Sequence, residues 1–175
     1  MSKGIGKQRL IVYALRHDPK AIGVSLDEEG YCRTSDLLSS MRISMEELER
    51  AVDMSGGRLS FSAGKDRIRA AHGHSIKVEM PMDDVPPDVL YHGTSSDSVE
   101  SIMAHGVKPM GRRYVHLSET ASAAARVAKR HSSKIDVLTI DAKAMKRDGV
   151  GFHKSEDGVW LVERVEPKYV DEACV

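Results

Sequence analysis

Arginine and histidine recur together in several short stretches of the chain. They comprise Arg16-His17, then Arg58, then Arg67 and Arg69 before His72 and His74, and finally Arg112-Arg113 before His116. Guanidinium groups bind phosphate through paired hydrogen bonds, and histidine transfers protons near neutral pH. Because carboxylates are scarce in these stretches, the pattern favours phosphate-ester chemistry without a metal. Charges scattered over unrelated surfaces would look the same in sequence, and spacing alone does not separate the two interpretations.

A second pattern lies between Leu90 and Ser118. An apolar step leads into His92, Gly93 and Thr94, and a short alternating run later carries His116. A helix-like segment and a basic turn separate the two histidines. Two histidines on separate strands are compatible with metal ligation and equally with a pocket for an anion or a nucleotide.

Other residue patterns argue against a metal site. His72 and His74 would share one face of a strand, but only Glu79 lies nearby as a further ligand. Cys32 and Cys174 are far apart and match no metal or redox spacing,. We therefore predict no metal and a reduced, cytoplasmic setting for this chain.

The composition is that of an ordinary globular protein. Hydrophobic residues make up 41% of the 175 residues and charged residues 30%, which excludes a disordered or membrane-embedded chain. Lysine plus arginine equals aspartate plus glutamate at 26 each, so net charge identifies no partner. No apolar run approaches the roughly 20 residues that span a bilayer. We expect no membrane association and a monomer, since nothing in the sequence demands an oligomer.

The elements that position these residues can be predicted from periodicity and capping. In the first half we expect an amphipathic helix over 5–15 that ends near Arg16 and His17 before Pro19,. Further helices should begin after Thr34 or Ser35 and after Ser44. A hairpin should pair 58–62 with 67–71. Helices followed by a hairpin resemble a winged-helix arrangement.

A proline-rich segment over 81–88 is the best candidate for a linker between two domains,. The second domain, over 89–175, should contain short strands and a few helices, including a helix capped by Thr120 and a strand over 135–141. Together with the first domain, over 1–80, this pattern predicts an α+β fold.

Several of these stretches together resemble the RNA 2′-phosphotransferase family, also called tRNA 2′-phosphotransferases. They occur in the family's order and cover nearly the whole chain. The matching segments are 15–19 (LRHDP), 26–31 (LDEEGY), 57–59 (GRL), 68–75 (IRAAHGHS), 90–94 (LYHGT), 112–118 (RRYVHLS) and 157–161 (DGVWL).

The resemblance implies both a fold and a reaction. The N-terminal lobe would be winged-helix-like and would bind RNA, and the C-terminal lobe would be an ADP-ribosyltransferase-like NAD-binding lobe. The enzyme would consume NAD to remove an internal 2′-phosphate from RNA, as left at a tRNA splice junction. The products would be 2′-OH RNA, ADP-ribose 1″,2″-cyclic phosphate and nicotinamide.

The resemblance also assigns roles to individual residues. The catalytic set would be Arg16, His17, Arg58 and Arg112. Residues expected to bind NAD are His92, Gly93, Thr94, His116, Leu117, Ser118 and Val159. Residues expected to contact RNA are Arg69, His74 and Ser75. The resemblance does not divide the arginines between the two steps of the reaction.

Three stretches depart from the family pattern, and two alternative functions remain. The family's serine-rich motif near Phe152 to Asp157 is only partly kept, with Ser155 in place. His72 stands where the family usually has glutamine, and Gly57 where it usually has lysine. One alternative is an ADP-ribosyltransferase acting on nucleic-acid terminal phosphates; the absence of glutamate at Val159 argues against modification of proteins. The other is a non-catalytic RNA-binding winged-helix module.

Overall fold

The chain folds into two compact units. A computed structural model describes residues 3–172, so Cys174 lies outside the described part. The first unit contains the residues up to Met80 together with Gly111–Arg113, and the second contains Pro81–Met110 and the residues from Tyr114 onward. Helices alternate with small antiparallel sheets, which confirms the α+β class. Within 3–172, no helix has both the length and the apolar character needed to cross a membrane.

The first unit combines helices with a small sheet. Strand β3 is central, and β1 and β2 pair with it antiparallel. The elements in chain order are α1 (Lys3–His17), a 3₁₀ turn (Pro19–Ile22), β1 (Tyr31–Arg33), α2 (Thr34–Met41), α3 (Met45–Asp53), β2 (Leu59–Phe61) and β3 (Arg67–Ala70).

Local sequence sets most helix ends in this unit. Helix α1 ends at His17, as predicted, because Pro19 cannot continue it, and the Asp18 carboxylate accepts the backbone N–H of Ala21. The predicted capping box at the start of α3 is confirmed, with Ser44 and Glu47 each accepting the other's backbone N–H.

The predicted cap of α2 was wrong. The helix begins at Thr34 itself, and the capping residue Arg33 makes no side-chain cap bond. The Thr34 hydroxyl instead donates to the carbonyl of Lys65 at 2.8 Å. A contact with a residue distant in sequence has replaced the local cap.

The core of the first unit lies between its helices and one face of the sheet. The buried side chains Cys32 and Ile68, on neighbouring strands, face Leu15, Leu37 and Leu48 from the helices. Burial raises the pKa of the Cys32 thiol to about 11, so this cysteine packs as an apolar side chain. The opposite face of the sheet remains free of this core.

The second unit contains two three-stranded antiparallel sheets, ordered β4-β6-β9 and β5-β8-β7. Its elements are β4 (Val89–Ser95), a 3₁₀ turn (Ser96–Ser98), α4 (Val99–His105), β5 (Val115–Leu117), α5 (Ala121–Ala128), β6 (Ile135–Asp141), α6 (Ala142–Arg147), β7 (His153–Lys154), β8 (Trp160–Val162), a 3₁₀ turn (Pro167–Tyr169) and β9 (Val170–Glu172). Strand β9 was not predicted.

The proline-rich segment expected to be a linker lies along the second unit. The backbone N–H of Asp84 donates to the Phe152 carbonyl at 3.0 Å, and the N–H of Phe152 donates to Met82 at 3.2 Å. Phe152 is fully buried in the core of this unit. The segment is therefore held by backbone pairing over part of its length.

Helix α5 packs closely against β4 at Gly93. A Cβ atom at position 93 would lie 2.1 Å from the carbonyl oxygen of Ala124, far inside van der Waals contact. Only glycine allows the helix backbone to approach the strand so closely. This packing explains the glycine without reference to a ligand.

We expect Gly93→Ala to lower the free energy of unfolding by about 3 kcal/mol, because backbone must shift to admit the methyl group. Urea unfolding monitored by the fluorescence of Trp160, the chain's single tryptophan, would measure the change. Gly111→Ala is the matched control, since a Cβ there meets nothing within 4 Å. Equal unfolding midpoints for the two variants would contradict the packing argument.

Candidate active-site residues

The C-terminus of α1 presents Arg16 and His17, both partly exposed. The Arg16 carbonyl accepts the backbone N–H of Ser75 at 3.0 Å. A Cβ atom at Gly73, where φ is +84°, would lie 3.3 Å from the Arg16 guanidinium carbon. The loop before Ser75 therefore runs directly against Arg16, and only glycine fits at position 73.

His17 is fixed from one side of its ring. Its Nδ1 lies 2.9 Å from the Ser75 hydroxyl, and the Tyr13 ring packs against it with centroids 5.0 Å apart. Burial lowers the pKa of His17, and the positive charges of Arg16 and Arg112 lower it further. The neutral imidazole is therefore favoured, which is the form that accepts a proton.

Arg112 joins this unit through its neighbour. The backbone N–H of Arg113 donates to the His74 carbonyl at 3.0 Å, and Gly111–Arg113 groups with the first unit. The predicted domain limits placed these three residues in the C-terminal lobe; this backbone contact explains the difference. It brings Arg112 close enough to lower the pKa of His17.

Arg58 is held separately. Its Nε donates to the Ser55 carbonyl at 2.6 Å, across a turn in which Gly56 and Gly57 both have positive φ. The Arg58 carbonyl accepts the backbone N–H of Ala71, just after β3, at 3.1 Å. Arg58 therefore lies in the same unit as Arg16, His17 and Arg112, beside the point at which β3 leads into the loop of His74 and Ser75.

The residues expected to contact RNA differ in exposure. Ser75 is exposed and Arg69 is partly exposed, but the His74 side chain is only 4% exposed. Burial, and next the charge of Arg16, lower the pKa of His74 to about 3. His74 is neutral at physiological pH, and its carbonyl holds the Arg113 segment.

In the second unit, β4 and β5 lie side by side. Tyr91 and Ser118 exchange backbone hydrogen bonds of 2.9 and 2.8 Å. Beside this pair, His92 Nδ1 lies 3.2 Å from the His116 carbonyl. Because a carbonyl only accepts, Nδ1 carries the proton and Nε2 is left as an acceptor. Burial lowers the pKa of His92, which keeps this neutral tautomer.

The expected NAD-binding residues Leu117, Ser118 and Val159 differ in whether their side chains are accessible to a ligand. The Leu117 side chain is buried in the core of the unit, so only its backbone is available to a ligand. Ser118 and Val159 instead line a groove of about 360 Å³. The other residues lining this groove are Glu119, Thr120, Ala123, Arg126, Val127, Arg130, Asp157 and Gly158.

Two arginines in this groove were missed by the sequence analysis. Arg126 lies in the last turn of α5 and Arg130 lies two residues beyond the end of that helix, and both are exposed. No helical spacing signals that the two arginines lie together, because Arg130 follows the end of the helix. Glu119, also in the groove, accepts the Trp160 indole N–H at 3.0 Å and pairs with Lys154 at 2.6 Å.

A larger groove of about 450 Å³ elsewhere in this unit contains none of the predicted site residues. Several of the charged side chains that line it form hydrogen bonds or ion pairs with other lining residues. Tyr169 donates to Asp148 at 2.6 Å, and Arg164 pairs with Glu166 at 2.9 Å. Within residues 3–172, no three His, Cys, Asp or Glu side chains gather as a metal-ligating group.

Comparison with known proteins identifies the family. The family model described as RNA 2′-phosphotransferase, Tpt1 / KptA family, matches residues 4–164. The chain belongs to this family. The predicted resemblance is thereby confirmed.

Relatives match over almost their whole length. A probable RNA 2′-phosphotransferase of Fusobacterium nucleatum is 40% identical over 177 residues, covering 97% of this chain and 99% of the relative. The probable RNA 2′-phosphotransferase of Nostoc punctiforme is 41% identical over 165 residues, covering 90% of this chain and 91% of the relative. That of Flavobacterium johnsoniae is 37% identical, covering 98% of each. The chain is thus similar to these relatives across both of its units.

The depressed pKa of His74 makes stability depend on pH. Between the ordinary value of 6.5 and the folded value of about 3, the unfolded chain binds one proton that the folded chain does not. The free energy of unfolding should therefore fall as pH is lowered below 6.5, by up to about 1.4 kcal/mol per pH unit from this residue. Urea unfolding of the wild type between about pH 7 and pH 5 measures it.

His74→Gln should reduce this pH dependence, since glutamine does not titrate. His131→Gln, at an exposed position, serves as the control and should leave the dependence as in the wild type. If all three proteins lose stability in parallel on acidification, His74 is not the group responsible.

Proposed function

We propose that this family member removes an internal 2′-phosphate from RNA in an NAD-dependent reaction, giving 2′-OH RNA, ADP-ribose 1″,2″-cyclic phosphate and nicotinamide. The observation that carries the proposal is the grouping of Arg16, Arg112 and a neutral His17 in one unit of a chain from this family. We further propose that the helices and hairpin of the first unit form a winged-helix-like RNA-binding lobe, and that the second is ADP-ribosyltransferase-like.

The arginines suit a phosphate dianion. Arg16 and Arg112 act together on His17, so a phosphate near that imidazole would lie within their field. Arg58 would add a third guanidinium. Positive groups placed in advance stabilise the charge that develops during phosphoryl transfer and orient the attacking oxygen. An RNA 2′-phosphate is therefore a better occupant than a neutral substrate.

His17 is suited to move a proton in the second step. With Nδ1 held by the Ser75 hydroxyl, the other ring nitrogen, Nε2, would take the proton of the ribose 2″-hydroxyl as that oxygen attacks phosphorus. The departing RNA 2′-oxygen would then receive the proton from the same nitrogen. The imidazole ends neutral, as it began, so no net proton is gained or lost.

The residues of the second unit fit the parts of NAD. Arg126 and Arg130 lie in the groove with Ser118 and Thr120: two guanidinium groups suit a pyrophosphate, and two hydroxyls suit ribose oxygens. Val159 provides an apolar edge. We propose that His92, Gly93, Thr94, His116, Leu117, Ser118 and Val159 bind this substrate, with Leu117 acting through its backbone. When bound, NAD would supply the ribose carbon that the RNA phosphate attacks, with nicotinamide leaving.

The direct test is incubation of the protein with NAD and an RNA that carries one internal 2′-phosphate. We expect ADP-ribose cyclic phosphate, nicotinamide and 2′-OH RNA, all detected by mass spectrometry. Arg58→Ala should lower turnover about 10²–10³-fold, by analogy with the loss of one donor to a developing oxyanion. Arg42→Ala, at an exposed position on the end of α2, should match the wild type.

Other outcomes would point elsewhere. RNA binding without turnover would favour the non-catalytic module. Transfer of ADP-ribose to a terminal phosphate, with the internal 2′-phosphate retained, would favour the alternative transferase. Near-normal turnover by Arg58→Ala would remove that residue from the catalytic set.

The groove makes a separate prediction about NAD. The double variant Arg126→Gln/Arg130→Gln should raise the KM for NAD about 10²- to 10⁴-fold, because it removes two charge-assisted hydrogen bonds that contribute about 1.5–3 kcal/mol each. The kcat should change little, since these contacts would bind ground state and transition state alike. Lys129→Gln, exposed on the same helix end and outside the groove lining, is the control. An unchanged KM in the double variant would place the pyrophosphate elsewhere.

A further inference from the structure

The face of the first sheet that points away from the core is basic. Along β1 and β3, successive side chains alternate between the two faces. Cys32 and Ile68 point into the core, so Tyr31, Arg33 and the pair Arg67 and Arg69 share the other face. We call these four residues the arginine face.

The arginine face is ordered by contacts within the sheet. Tyr31 lies directly opposite Arg69, and Arg33 lies directly opposite Arg67. The guanidinium carbons of Arg67 and Arg69 each lie 4.7 Å from the centre of the Tyr31 ring, which is cation–π distance. One aromatic ring thus orients two arginines.

A carboxylate holds the Arg67 side chain from the side. Arg67 Nη1 donates to Asp27 Oδ2 at 3.1 Å. The other carboxylate oxygen, Oδ1, accepts the backbone N–H groups of Tyr31 and Glu29 at 2.8 and 3.1 Å. Because Asp27 is itself fixed, it orients Arg67, and it neutralises only part of the charge on this face. The Arg67 side chain remains 45% exposed, and Arg33 is exposed.

Such an arrangement is unfavourable for the sheet alone. Like charges directly opposite each other on neighbouring strands repel, and Arg33 and Arg67 occupy such positions. A polyanion lying across both would relieve the repulsion. Arg69 also contributes to the electrostatic surroundings of His74, since its charge, like that of Arg16, helps to lower the pKa of that imidazole.

We infer that the arginine face binds the phosphodiester backbone of the RNA strand that flanks the reacting 2′-phosphate. The inference rests on the proposed function and extends it from the reacting phosphate to the neighbouring nucleotides. Arginine forks bind phosphate oxygens through two hydrogen bonds, and contacts to the backbone carry no sequence information. The Tyr31 ring contacts both Arg67 and Arg69, and its part in this site is to hold the two guanidinium groups in place. The face therefore recognises RNA without regard to sequence.

The test compares RNAs of two lengths. Fluorescence anisotropy would measure the Kd of the full chain for a tetranucleotide and for a 20-mer, each carrying one internal 2′-phosphate, at several salt concentrations. The double variant Arg33→Gln/Arg67→Gln should weaken binding of the 20-mer about 10- to 100-fold and that of the tetranucleotide less than about 2-fold. Loss of two phosphate contacts should also reduce the slope of log K against log salt by about one to two.

The matched control is Arg42→Gln/Arg50→Gln, which removes the same charge from exposed positions on α2 and α3, the helices packed on the other face of the sheet. It should bind the 20-mer like the wild type. Wild-type affinity of the arginine-face variant for the 20-mer, or an equal loss in the control, would overturn the inference. A second 20-mer of different sequence should give the same loss; a loss for one sequence only would overturn backbone recognition.

This experiment separates failure of the inference from failure of the proposed function. Turnover of the tetranucleotide with NAD reports the proposed chemistry and does not require Arg33 or Arg67. Binding of the 20-mer requires no turnover and no NAD. If the wild type binds the 20-mer but leaves the 2′-phosphate in place, the proposed reaction fails while the binding comparison still tests the face.

Discussion

Two backbone hydrogen bonds bring together the parts of the first unit on which its chemistry depends. Ser75 donates to the Arg16 carbonyl and Arg113 donates to the His74 carbonyl, both at 3.0 Å. Through them, the end of α1, the loop after β3 and a segment from far along the chain meet at one place. Backbone groups are used here because they impose position without depending on side-chain rotamers. The close approach is possible because position 73 is glycine, where a side chain would meet Arg16.

The electrostatic result of this meeting is a group of positive charges around two neutral imidazoles. Each added guanidinium makes protonation of a nearby histidine less favourable, and burial acts in the same direction for His17 and His74. The two histidines then separate in role. His74 is buried and holds a neighbouring segment, whereas His17 keeps contact with solvent and with the Ser75 hydroxyl. A fold that concentrates positive charge in this way is suited to an anionic substrate, which would offset the repulsion.

The second unit depends on a different constraint, the close packing of helix α5 on strand β4. Gly93 admits the backbone of α5, and this helix and the turn that follows it carry Arg126 and Arg130 to the groove beside Ser118. Gly93 therefore has a structural explanation in addition to its expected place in a substrate site. The paired histidines follow a similar logic, since the His116 carbonyl sets the tautomer of His92. Residues of the same motif therefore contact one another in the folded chain, without a ligand.

Local sequence rules were sufficient where the controlling interaction is local. Pro19 ended α1, Ser44 and Glu47 formed their capping box, and Thr120 capped α5 through the backbone N–H of Ala123. These local rules failed where the controlling interaction is with a residue distant in sequence. Thr34 donates to Lys65 instead of capping its own helix, and β9 forms because β6 provides an edge for it. The terminal strand has too little periodicity of its own to be recognised alone.

The sequence by itself determined the family, the α+β class and the residue types available for phosphate and nucleotide chemistry, because these are carried by short motifs in a given order. It also determined which strand residues face the core, since side chains alternate along a strand. Only the tertiary structure decided that Arg112 belongs to the same compact unit as Arg16 and His17, that the His74 side chain is buried, and that Arg126 and Arg130 share a groove with Ser118. Those outcomes depend on contacts between residues far apart in the chain. Local sequence patterns do not determine the free energy of such contacts.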